Sequence, residues 1–568
     1  MNGKRIRPLR FATLVLAFLF IAAPSVSVAA DARRDAIAAN GMVASAHPEA
    51  SRIGVDILEA GGNAVDAAVA VGFALGVVEP NASGIGGGGL MLLWLAERQQ
   101  VVFIDFREKA PTGAVPDLFE LDEDGKVQPD ARGFDPAQIG GRSVAVPGEV
   151  AGLLLAHEEF GSMSRAAVMQ PAIDRAEQGV VVSEVLAGMI AEHYDTLLAY
   201  PASAAIYLSD DFPKIPGDLV RNTDLAGTLR RVAQEGRDGF YTGPVAESIV
   251  AAVQADGGSV TLADLAGYLP SYRAPVNGNY RGYDIVSAAP PSSGGTHVIE
   301  LLNIMENADL AAMDPYSVDT LHLWAEAMKL VYADRAEFMG DSDYVEVPLQ
   351  GLSSDTYARG RFREIDPERA AERGEPGTPR SAGSGSTTHY SVIDAKGNMV
   401  ACTKTINHFF GSGITAPGTG VLLNDQMDDF DKRPGQANSI LAGKKPLSSM
   451  SPTLLLKDGK PVATLGSPGG LRIISTMAML ISNLVDHGMD IQAAIEAPRI
   501  NQYEDGPLKV EARIPEDIRA GLAARGHEIE VKKDFDLYFG GAQGVVIRPD
   551  AKLHGGADPR RDGQAEGY

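Results

Sequence analysis

The junction around Thr387 constrains the fold of this 568-residue chain more than any other feature. Charged residues, proline, glycine and serine fill positions 361–386, a composition typical of an exposed, mobile segment. Polar and apolar residues then alternate over 388–393, turn residues follow at 394–398, and a second strand is predicted over 399–406. The sequence therefore predicts an antiparallel hairpin whose first residue after the mobile segment is a threonine.

A threonine in this position can act as a nucleophile if a base lies beside it. If the chain were cut immediately before Thr387, the new α-amino group, with an unperturbed pKa of ~7.7–8, could accept the proton near neutral pH. Such a site needs a flexible segment before the threonine, a strand that begins with it, and polar residues downstream. The alternative is an ordinary edge strand after a surface loop, because threonine is common at strand starts.

Length and composition predict two domains or one large multilayer fold. The chain is 45% hydrophobic over 568 residues, which is ample for a large buried core. The middle of the chain, about 147–265, has a mostly helical pattern, whereas the region after 386 is rich in strands. Strands and helices in long blocks favour stacked sheet and helix layers.

The N-terminus has the three-part pattern of a secretory signal peptide over residues 1–30. Basic residues come first, an apolar stretch covers 11–23, and small residues at 27–30 precede Asp31. We expect cleavage after position 29 or 30 and a periplasmic or secreted protein. The apolar stretch is short for a membrane span, so we expect no integral membrane segment after signal removal. An uncleaved N-terminal anchor is the alternative.

Charge and cysteine content exclude some classes of protein. The formal charge of −24 becomes −28 once the four basic residues of the signal are removed, and an acidic surface argues against nucleic acid as a partner. The single cysteine, Cys402, cannot form an internal disulfide. Because it lies in an apolar run, we expect a buried structural thiol rather than a nucleophile.

Two motifs match the sequence patterns of a dinucleotide site and a metal site, but their predicted structural context does not fit either site. The glycines at 84 and 86–89 resemble a dinucleotide fingerprint, but a helix precedes them and a strand follows, whereas a phosphate site needs the opposite order. We expect a tight turn with close backbone packing. His322 and Glu326 are four residues apart on a predicted amphipathic helix over 317–339, and we expect a pair on the helix surface. The sequence predicts no metal and no cofactor.

Polar motifs downstream of the junction favour a binding pocket. The return strand of the hairpin would bring Thr405 and Asn407 back toward its start. Acidic and amide residues over 424–430 suit a substrate ammonium, and serines over 446–452 suit a carboxylate. The paired glycines within 466–470 suit an oxyanion.

Together these motifs resemble the gamma-glutamyltransferase (glutathione hydrolase proenzyme) family. The resemblance is carried by 387–392, 424–430, 446–452 and 467–470. It extends through five earlier motifs, at 61–68, 84–89, 106–108, 146–148 and 290–295. It thus covers essentially the whole mature chain.

The resemblance implies an α+β fold of the N-terminal-nucleophile hydrolase type, an αββα four-layer sandwich made by one precursor that cuts itself. By similarity, Thr387 attacks the carbonyl of Ser386, and the resulting ester hydrolyses. The cleavage site is then Ser386–Thr387. This division gives a signal peptide over 1–30, a large subunit over 31–386 and a small subunit over 387–568, which remain together as a heterodimer.

The resemblance also implies a gamma-glutamyl transferase and hydrolase activity. Thr387 attacks glutathione or a related γ-glutamyl amide, and the acyl-enzyme is released to water or to an amino acid or peptide acceptor. The implied catalytic residues are Thr387, Thr405, Gly469 and Gly470, the last two as the oxyanion hole. The implied α-ammonium site is Asn407, Gln426 and Asp429, and the implied α-carboxylate site is Arg107, Ser448 and Ser449.

The sequence departs from the family pattern in one loop, and two alternative functions stay open. Some family members fold a long, tyrosine-bearing loop over the pocket, whereas 431–447 is short here and lacks tyrosine, which predicts a more open pocket for larger substrates. An acylase of the same architecture is one rival, but a substrate without an α-ammonium would not need Asp429. An exported binding protein is the other, and it would not need Thr387.

Overall fold

A computed structural model describes residues 33–376 and 386–568 of the chain. The predicted signal peptide and residues 377–385 of the predicted mobile segment lie outside the described residues. Residues 34–568 form one compact unit, so the choice between two domains and one multilayer fold is decided in favour of the latter.

Two seven-stranded antiparallel sheets form the centre of the fold. Sheet I contains, in spatial order, Ala36–Ala38, Leu553–Ala557, Gln543–Ile547, Lys460–Gly466, Thr453–Lys457, Tyr283–Ser287 and Val276–Tyr280. Sheet II contains, in spatial order, Gln564–Gly567, Met42–Ser45, Ser386–Ile393, Met399–Asn407, Gly88–Leu95, Gln100–Phe106 and Ser271–Arg273. Both sheets draw strands from each side of position 387, so the two predicted subunits share both sheets.

Helices cover the outer face of each sheet, which confirms the predicted αββα sandwich. The layer on sheet II contains Pro48–Glu59, Ala64–Val78, Glu149–Phe160, Arg165–Gln178, Thr223–Glu235 and Gly243–Ala255. The layer on sheet I contains Gly294–Met305, Val318–Phe338, Asp355–Phe362, Ile473–Val485, Ile491–Glu496 and Glu516–Ala524. Shorter helices lie at Glu184–Glu192, Tyr194–Ala199, Pro201–Tyr207, Asp238–Tyr241, Leu262–Gly267 and Leu349–Leu352.

The strand Gly88–Leu95 shows why its sequence is apolar without alternation. All eight residues are buried. Leu90 and Leu92 pack in the core between the sheets, whereas Met91 and Leu93 pack under the first helix layer. Because successive side chains point to opposite faces and both faces are covered, every position must be apolar.

Local capping signals set the starts of the first two helices. His47 caps Pro48–Glu59 by accepting the Glu49 N–H at 3.2 Å. Asn63 and Asp66 form a reciprocal capping box at the start of Ala64–Val78. The glycine run then confirms the predicted tight turn, because a Cβ on Gly87 would lie 1.9 Å from the Thr405 carbonyl oxygen.

Two expectations and one alternative differ from the structure. The helix Val318–Phe338 is buried almost all round rather than amphipathic, since the sheet I layer and the C-terminal region enclose it. Arg361, at the start of the predicted exposed segment, is buried and lies 3.2 Å from Asp334. The strand Ser386–Ile393 is not an edge strand, because it pairs on both sides within sheet II.

Small sheets complete the described chain. They contain Val180–Val181 with Leu219–Val220, Leu208–Ser209 with Phe212–Pro213, Thr415–Ala416 with Val421–Leu422, and Ile500–Asn501, Leu508–Glu511 and Ile529–Lys532. Within the described ranges, no helix is both long and apolar enough to cross a membrane. Cys402 is fully buried in sheet II, where burial raises the pKa of its thiol to about 12.

Candidate active site

Thr387 lies at an irregularity of the sheet II ladder. Ser386 pairs with Asn407, but Thr388 pairs with Lys404, so the register shifts across Thr387. Such bulges re-aim a side chain away from the regular pleat. Thr387 is 4% exposed and lines a pocket at this end of the sheet.

The pocket brings together residues that are far apart in sequence. Nine of the ten predicted catalytic and binding residues line it: Arg107, Thr387, Thr405, Asn407, Gln426, Asp429, Ser448, Ser449 and Gly470. The tenth, Gly469, is the chain neighbour of Gly470. The structure therefore places the predicted set in one location.

The end of the return strand is shaped by Thr405 and Asn407. The Asn407 N–H donates to Thr405 Oγ1 at 2.8 Å, and the Asn407 side chain donates to the Asp425 carbonyl at 3.1 Å. Asn407 has a φ of +76°, a left-handed conformation that asparagine tolerates better than most residues. This kink ends the strand and turns the Asn407 amide into the pocket lining.

Opposite charges meet on one side of the pocket. Arg107 Nη2 donates to Asp429 Oδ2 at 2.5 Å, and Gln426 Nε2 donates to the same oxygen at 2.6 Å. Arg107 is 1% exposed and also donates to the carbonyls of Pro446 and Leu447. The predicted ammonium ligand and the predicted carboxylate ligand are thus paired with each other.

The two serines are held by a separate loop. Ser448 donates its N–H to the Pro291 carbonyl at 2.9 Å, and its own carbonyl accepts the Ser293 N–H at 2.8 Å. A Cβ on Gly294 would lie 2.3 Å from the Ser449 carbonyl oxygen. The small residues of 290–295 therefore allow this loop to approach the serines closely.

Gly469 and Gly470 adopt backbone conformations that favour glycine, with φ values of +135° and +59°. They precede the helix Ile473–Val485. In the part of the chain that the structure describes, neither N–H donates a hydrogen bond. Free backbone donors at a pocket edge can stabilise a developing oxyanion.

Two titratable groups, Glu108 and His408, directly follow pocket residues in the chain. Burial raises the pKa of Glu108 to about 8, although neighbouring Arg107 lowers it. Burial lowers the pKa of His408, but Asp425, whose Oδ2 lies 2.6 Å from its Nδ1, has the opposite effect, and the net pKa is about 9. His408 directly follows Asn407, and the Asp425 carboxylate balances its positive charge.

The start of the strand Ser386–Ile393 is held by a buried ion pair. Thr388 Oγ1 donates to Glu79 Oε2 at 2.6 Å, and Arg561 Nη1 lies 2.6 Å from Glu79 Oε1. Glu79 follows the helix Ala64–Val78, and Arg561 lies near the C-terminus. Glu79 and Arg561, which are far apart in the sequence, therefore position Thr388, the residue next to Thr387.

Arg335, which the sequence motifs did not indicate, also lines the pocket. It lies on the buried helix Val318–Phe338, and its Nε donates to Ser293 Oγ at 2.7 Å. No local motif marks it. The available signal was a basic residue on a helix face that is otherwise apolar.

The expectation of a surface pair at His322 and Glu326 is wrong. Both are buried, and His527 joins them, with the candidate ligand atoms of all three within 4.8 Å of one another. His322 Nδ1 lies 2.8 Å from His527 Nε2, and Lys329 Nζ donates to Glu326 Oε1 at 2.8 Å. The lysine ammonium already neutralises the carboxylate, so these residues form a polar network within the core.

The short segment 431–447 packs beside the pocket through its own contacts. The Asp431 N–H donates to the Asn438 carbonyl, and Lys444 Nζ donates to the Ala437 carbonyl. Ile440 packs with Phe430 in a small apolar cluster. The prediction that this segment leaves the pocket more open for large substrates stays a prediction.

The amino-acid sequence of this chain is similar to those of known enzymes along nearly its whole length. Residues 50–568 match the model of the family described as gamma-glutamyltranspeptidase. The chain is 41% identical to the glutathione hydrolase proenzyme of Escherichia coli (strain K12), over 96% of this chain and 95% of that protein. It is also 41% identical to the acylase ACY 1 proenzyme of Pseudomonas sp. (strain V22), with 94% of each covered.

A solved structure shares the fold. The cephalosporin acylase from Bacillus halodurans superposes with a TM-score of 0.86 at 31% identity, covering 96% of this chain and 99% of that one. Together with the αββα layers and the assembled pocket, these matches show that the chain is an enzyme with the N-terminal-nucleophile hydrolase fold, and that it belongs to the gamma-glutamyltranspeptidase family.

Proposed function

We propose that this chain is a self-cleaving gamma-glutamyltransferase and glutathione hydrolase. The observation that carries the proposal is one pocket in which Thr387 faces a guanidinium, a carboxylate and two serines. A γ-glutamyl group has an α-ammonium and an α-carboxylate on one carbon, so it needs acceptors and donors close together. Arg107 and Asp429, already in contact, provide this arrangement.

Maturation precedes turnover in this proposal. Thr387 Oγ attacks the carbonyl carbon of Ser386, the C–N bond breaks, and the α-amino group of Thr387 is released as an ester forms. Water then hydrolyses the ester, which leaves a carboxylate on Ser386 and a free amine and hydroxyl on Thr387. The two resulting chains stay associated because both contribute strands to both sheets.

In turnover, the Thr387 amine takes the proton of its own hydroxyl as Oγ attacks the γ-carbonyl of the donor. The N–H groups of Gly469 and Gly470 stabilise the oxyanion, and the proton passes to the leaving amine. Asn407, Gln426 and Asp429 hold the α-ammonium, while Arg107, Ser448 and Ser449 hold the α-carboxylate. Water or an amino acid or peptide amine then attacks the ester and restores Thr387.

Substitution of the nucleophile tests this proposal. In Thr387→Ala we expect loss of self-cleavage and a loss of turnover of at least about 10⁴-fold, because no other hydroxyl carries the acyl group. Denaturing electrophoresis with intact mass and a γ-glutamyl-p-nitroanilide assay measure both. Thr387→Ser is the matched control, since it keeps the hydroxyl. A wild-type chain that stays uncut and binds ligands without turnover would favour a binding protein.

An acylase acting on acyl amides without an α-ammonium is the second candidate, because relatives named acylases match the chain as well as glutathione hydrolases do. The carboxylate of Asp429, backed by Gln426, favours the γ-glutamyl donor. Comparing γ-glutamyl-p-nitroanilide with glutaryl-p-nitroanilide, which lacks only the ammonium, separates the two. A higher kcat/KM for the glutaryl compound would support the acylase.

Export through residues 1–30 completes the proposal. The basic, apolar and small-residue pattern of this segment supports it. Expression with the segment intact, followed by separation of periplasm, medium and cell contents, tests the location. The intact mass of the recovered protein gives its first residue, and a mass that includes residues 1–30 would contradict cleavage.

A further inference from the structure

Arg335 is a buried arginine in the pocket without an ionic partner in the described chain. It is 3% exposed, and within residues 33–376 and 386–568 no carboxylate lies within salt-bridge distance of it. Its Nε donates to Ser293 Oγ, but neither terminal nitrogen donates to a residue in those ranges. The terminal nitrogens are therefore available to a ligand in the pocket that the guanidinium lines.

Other buried arginines of the fold are paired. Arg499 lies 2.7 Å from Asp558, Arg560 lies 2.5 Å from Glu511, and Arg361 lies 3.2 Å from Asp334. A buried cation without a counter-ion is costly, because water no longer solvates its charge. Burial accordingly lowers the pKa of Arg335 to about 10, although Asp429 raises it. An anion from the ligand would supply the missing partner.

The position of Arg335 identifies the end of the pocket that it serves. Ser293 Oγ, which accepts from Arg335, donates in turn to the Ser448 carbonyl at 2.7 Å. Ser293 thus bridges Arg335 and Ser448 by two hydrogen bonds. This is the end of the pocket where the hydroxyl groups of Ser448 and Ser449 suit a carboxylate.

Arg107 has fewer free donors than Arg335. Its Nε donates to the Pro446 carbonyl, and its Nη2 donates to Asp429 and to the Leu447 carbonyl. Its Nη1 lies 3.8 Å from Glu108 Oε2. Among the described residues, neither terminal nitrogen of Arg335 has a partner, and such a fork matches the two oxygens of a carboxylate.

We propose that Arg335 joins Arg107, Ser448 and Ser449 in binding the α-carboxylate of the γ-glutamyl donor, and so selects donors that carry this group. The inference rests on the proposed function and adds a specificity-determining residue to it. Ser293 is a positioning residue, since it holds Nε and directs the terminal nitrogens into the pocket.

Calorimetric titration tests the inference without depending on turnover. The two ligands are L-glutamate and 4-aminobutyrate, which differ only in the α-carboxylate. The variants are Arg335→Gln, which removes the charge, and Arg335→Lys, which keeps it. Arg98→Gln is the control, because Arg98 is an exposed arginine in the turn between Gly88–Leu95 and Gln100–Phe106.

In Arg335→Gln we expect L-glutamate to bind about 10- to 100-fold more weakly, the usual effect of losing a hydrogen bond to a charged group. Binding of 4-aminobutyrate should change less than about threefold. Arg335→Lys should recover part of the affinity, and Arg98→Gln should match the wild type. The KM of γ-glutamyl-p-nitroanilide should rise in parallel, with little change in kcat.

Two outcomes would overturn the inference: equal losses of affinity for both ligands in Arg335→Gln, or no loss of affinity for L-glutamate. Equal losses would mean a structural role only, and thermal unfolding of each variant checks this. If the wild type turns over no γ-glutamyl donor yet binds L-glutamate through Arg335, the proposed function alone fails. If the wild type turns over the γ-glutamyl donor and Arg335→Gln leaves both the KM and the affinity for L-glutamate unchanged, the inference alone fails.

Discussion

Two buried ion pairs of this fold have similar distances but different surroundings. Lys404 Nζ lies 2.6 Å from Glu149 Oε1 under the helix layer of sheet II, and both side chains are 0% exposed. Arg107 Nη2 lies 2.5 Å from Asp429 Oδ2 at the pocket, where the Asp429 side chain is 13% exposed. The first pair is sealed between a strand and two helices, whereas a ligand can reach the second.

This difference indicates that the first ion pair stabilises the fold, whereas the second binds a ligand. Lys404 also donates to the Gly72 carbonyl at 2.7 Å, so it joins the helices Ala64–Val78 and Glu149–Phe160 to the return strand. Removing one partner of such a pair leaves an unpaired buried charge. The Arg107–Asp429 pair instead offers each charge to a zwitterionic ligand. We therefore expect substitutions at the first pair to lower stability and those at the second to weaken binding.

The largest expected effect in this comparison is on stability. Lys404→Met should lower the free energy of unfolding by about 3–5 kcal/mol, because it leaves Glu149 buried without its cation. Urea unfolding measures the loss, and the KM of the folded fraction should stay within about threefold of the wild type. Lys404→Met with Glu149→Leu should recover much of the stability. A double variant as unstable as the single one would show that packing, not charge, is responsible.

A change at the pocket pair should instead affect binding. Asp429→Asn removes the charge that suits the α-ammonium, so we expect the KM of γ-glutamyl-p-nitroanilide to rise by about 10- to 100-fold. Its loss of stability should be smaller than that of Lys404→Met, because Arg107 keeps two carbonyl acceptors. Steady-state kinetics and urea unfolding test both points. An unchanged KM would contradict the assigned role of Asp429.

The third expected effect concerns Glu108, a buried residue next to Arg107, and it appears only as a change of stability with pH. Its two carboxylate oxygens have no hydrogen-bond partner among the described residues, and burial raises its pKa from 4.5 to about 8, although Arg107 lowers it. Between these pH values the folded state keeps a proton that the unfolded chain has released. The free energy of unfolding should therefore fall as pH rises through this window, by up to ~1.4 kcal/mol per pH unit.

Glu108→Gln should remove this part of the pH dependence. Urea unfolding at several pH values between 5 and 8 measures the difference between variant and wild type, which cancels the other titrating groups. Glu97→Gln, at an exposed turn, is the matched control and should leave the slope unchanged. Parallel curves for Glu108→Gln and wild type would mean that Glu108 is ionised in the folded protein.

Strong local patterns in the sequence made part of the fold predictable. His47, Asn63 and Asp66 fixed the helix starts, because a cap needs only residues within one turn. The hairpin around 394–398 and the glycine turn before Gly88–Leu95 were predictable for the same reason. The predicted site residues came from motifs in separate stretches, and their assignment depended on resemblance to a family.

Other features required the tertiary structure. The strand Ser386–Ile393 reads like an edge strand but is interior, because its partner Met42–Ser45 lies more than 300 residues away. His322 and Glu326 look like a surface pair by spacing, but packing of the C-terminal region brings His527 beside them. The periodicity of a sequence shows which face of a helix or strand is apolar. It does not show which distant segment packs on that face.

By itself, the sequence determined the layered α and β composition, the hairpin that begins after Ser386, and the residue types available to bind a zwitterion. Only the tertiary structure decided which of these charges are sealed and which face the pocket, and it revealed that Arg335 has no ionic partner there among the described residues. The physical reason is that desolvation and pairing of a charge depend on atoms from distant segments, which no local pattern encodes.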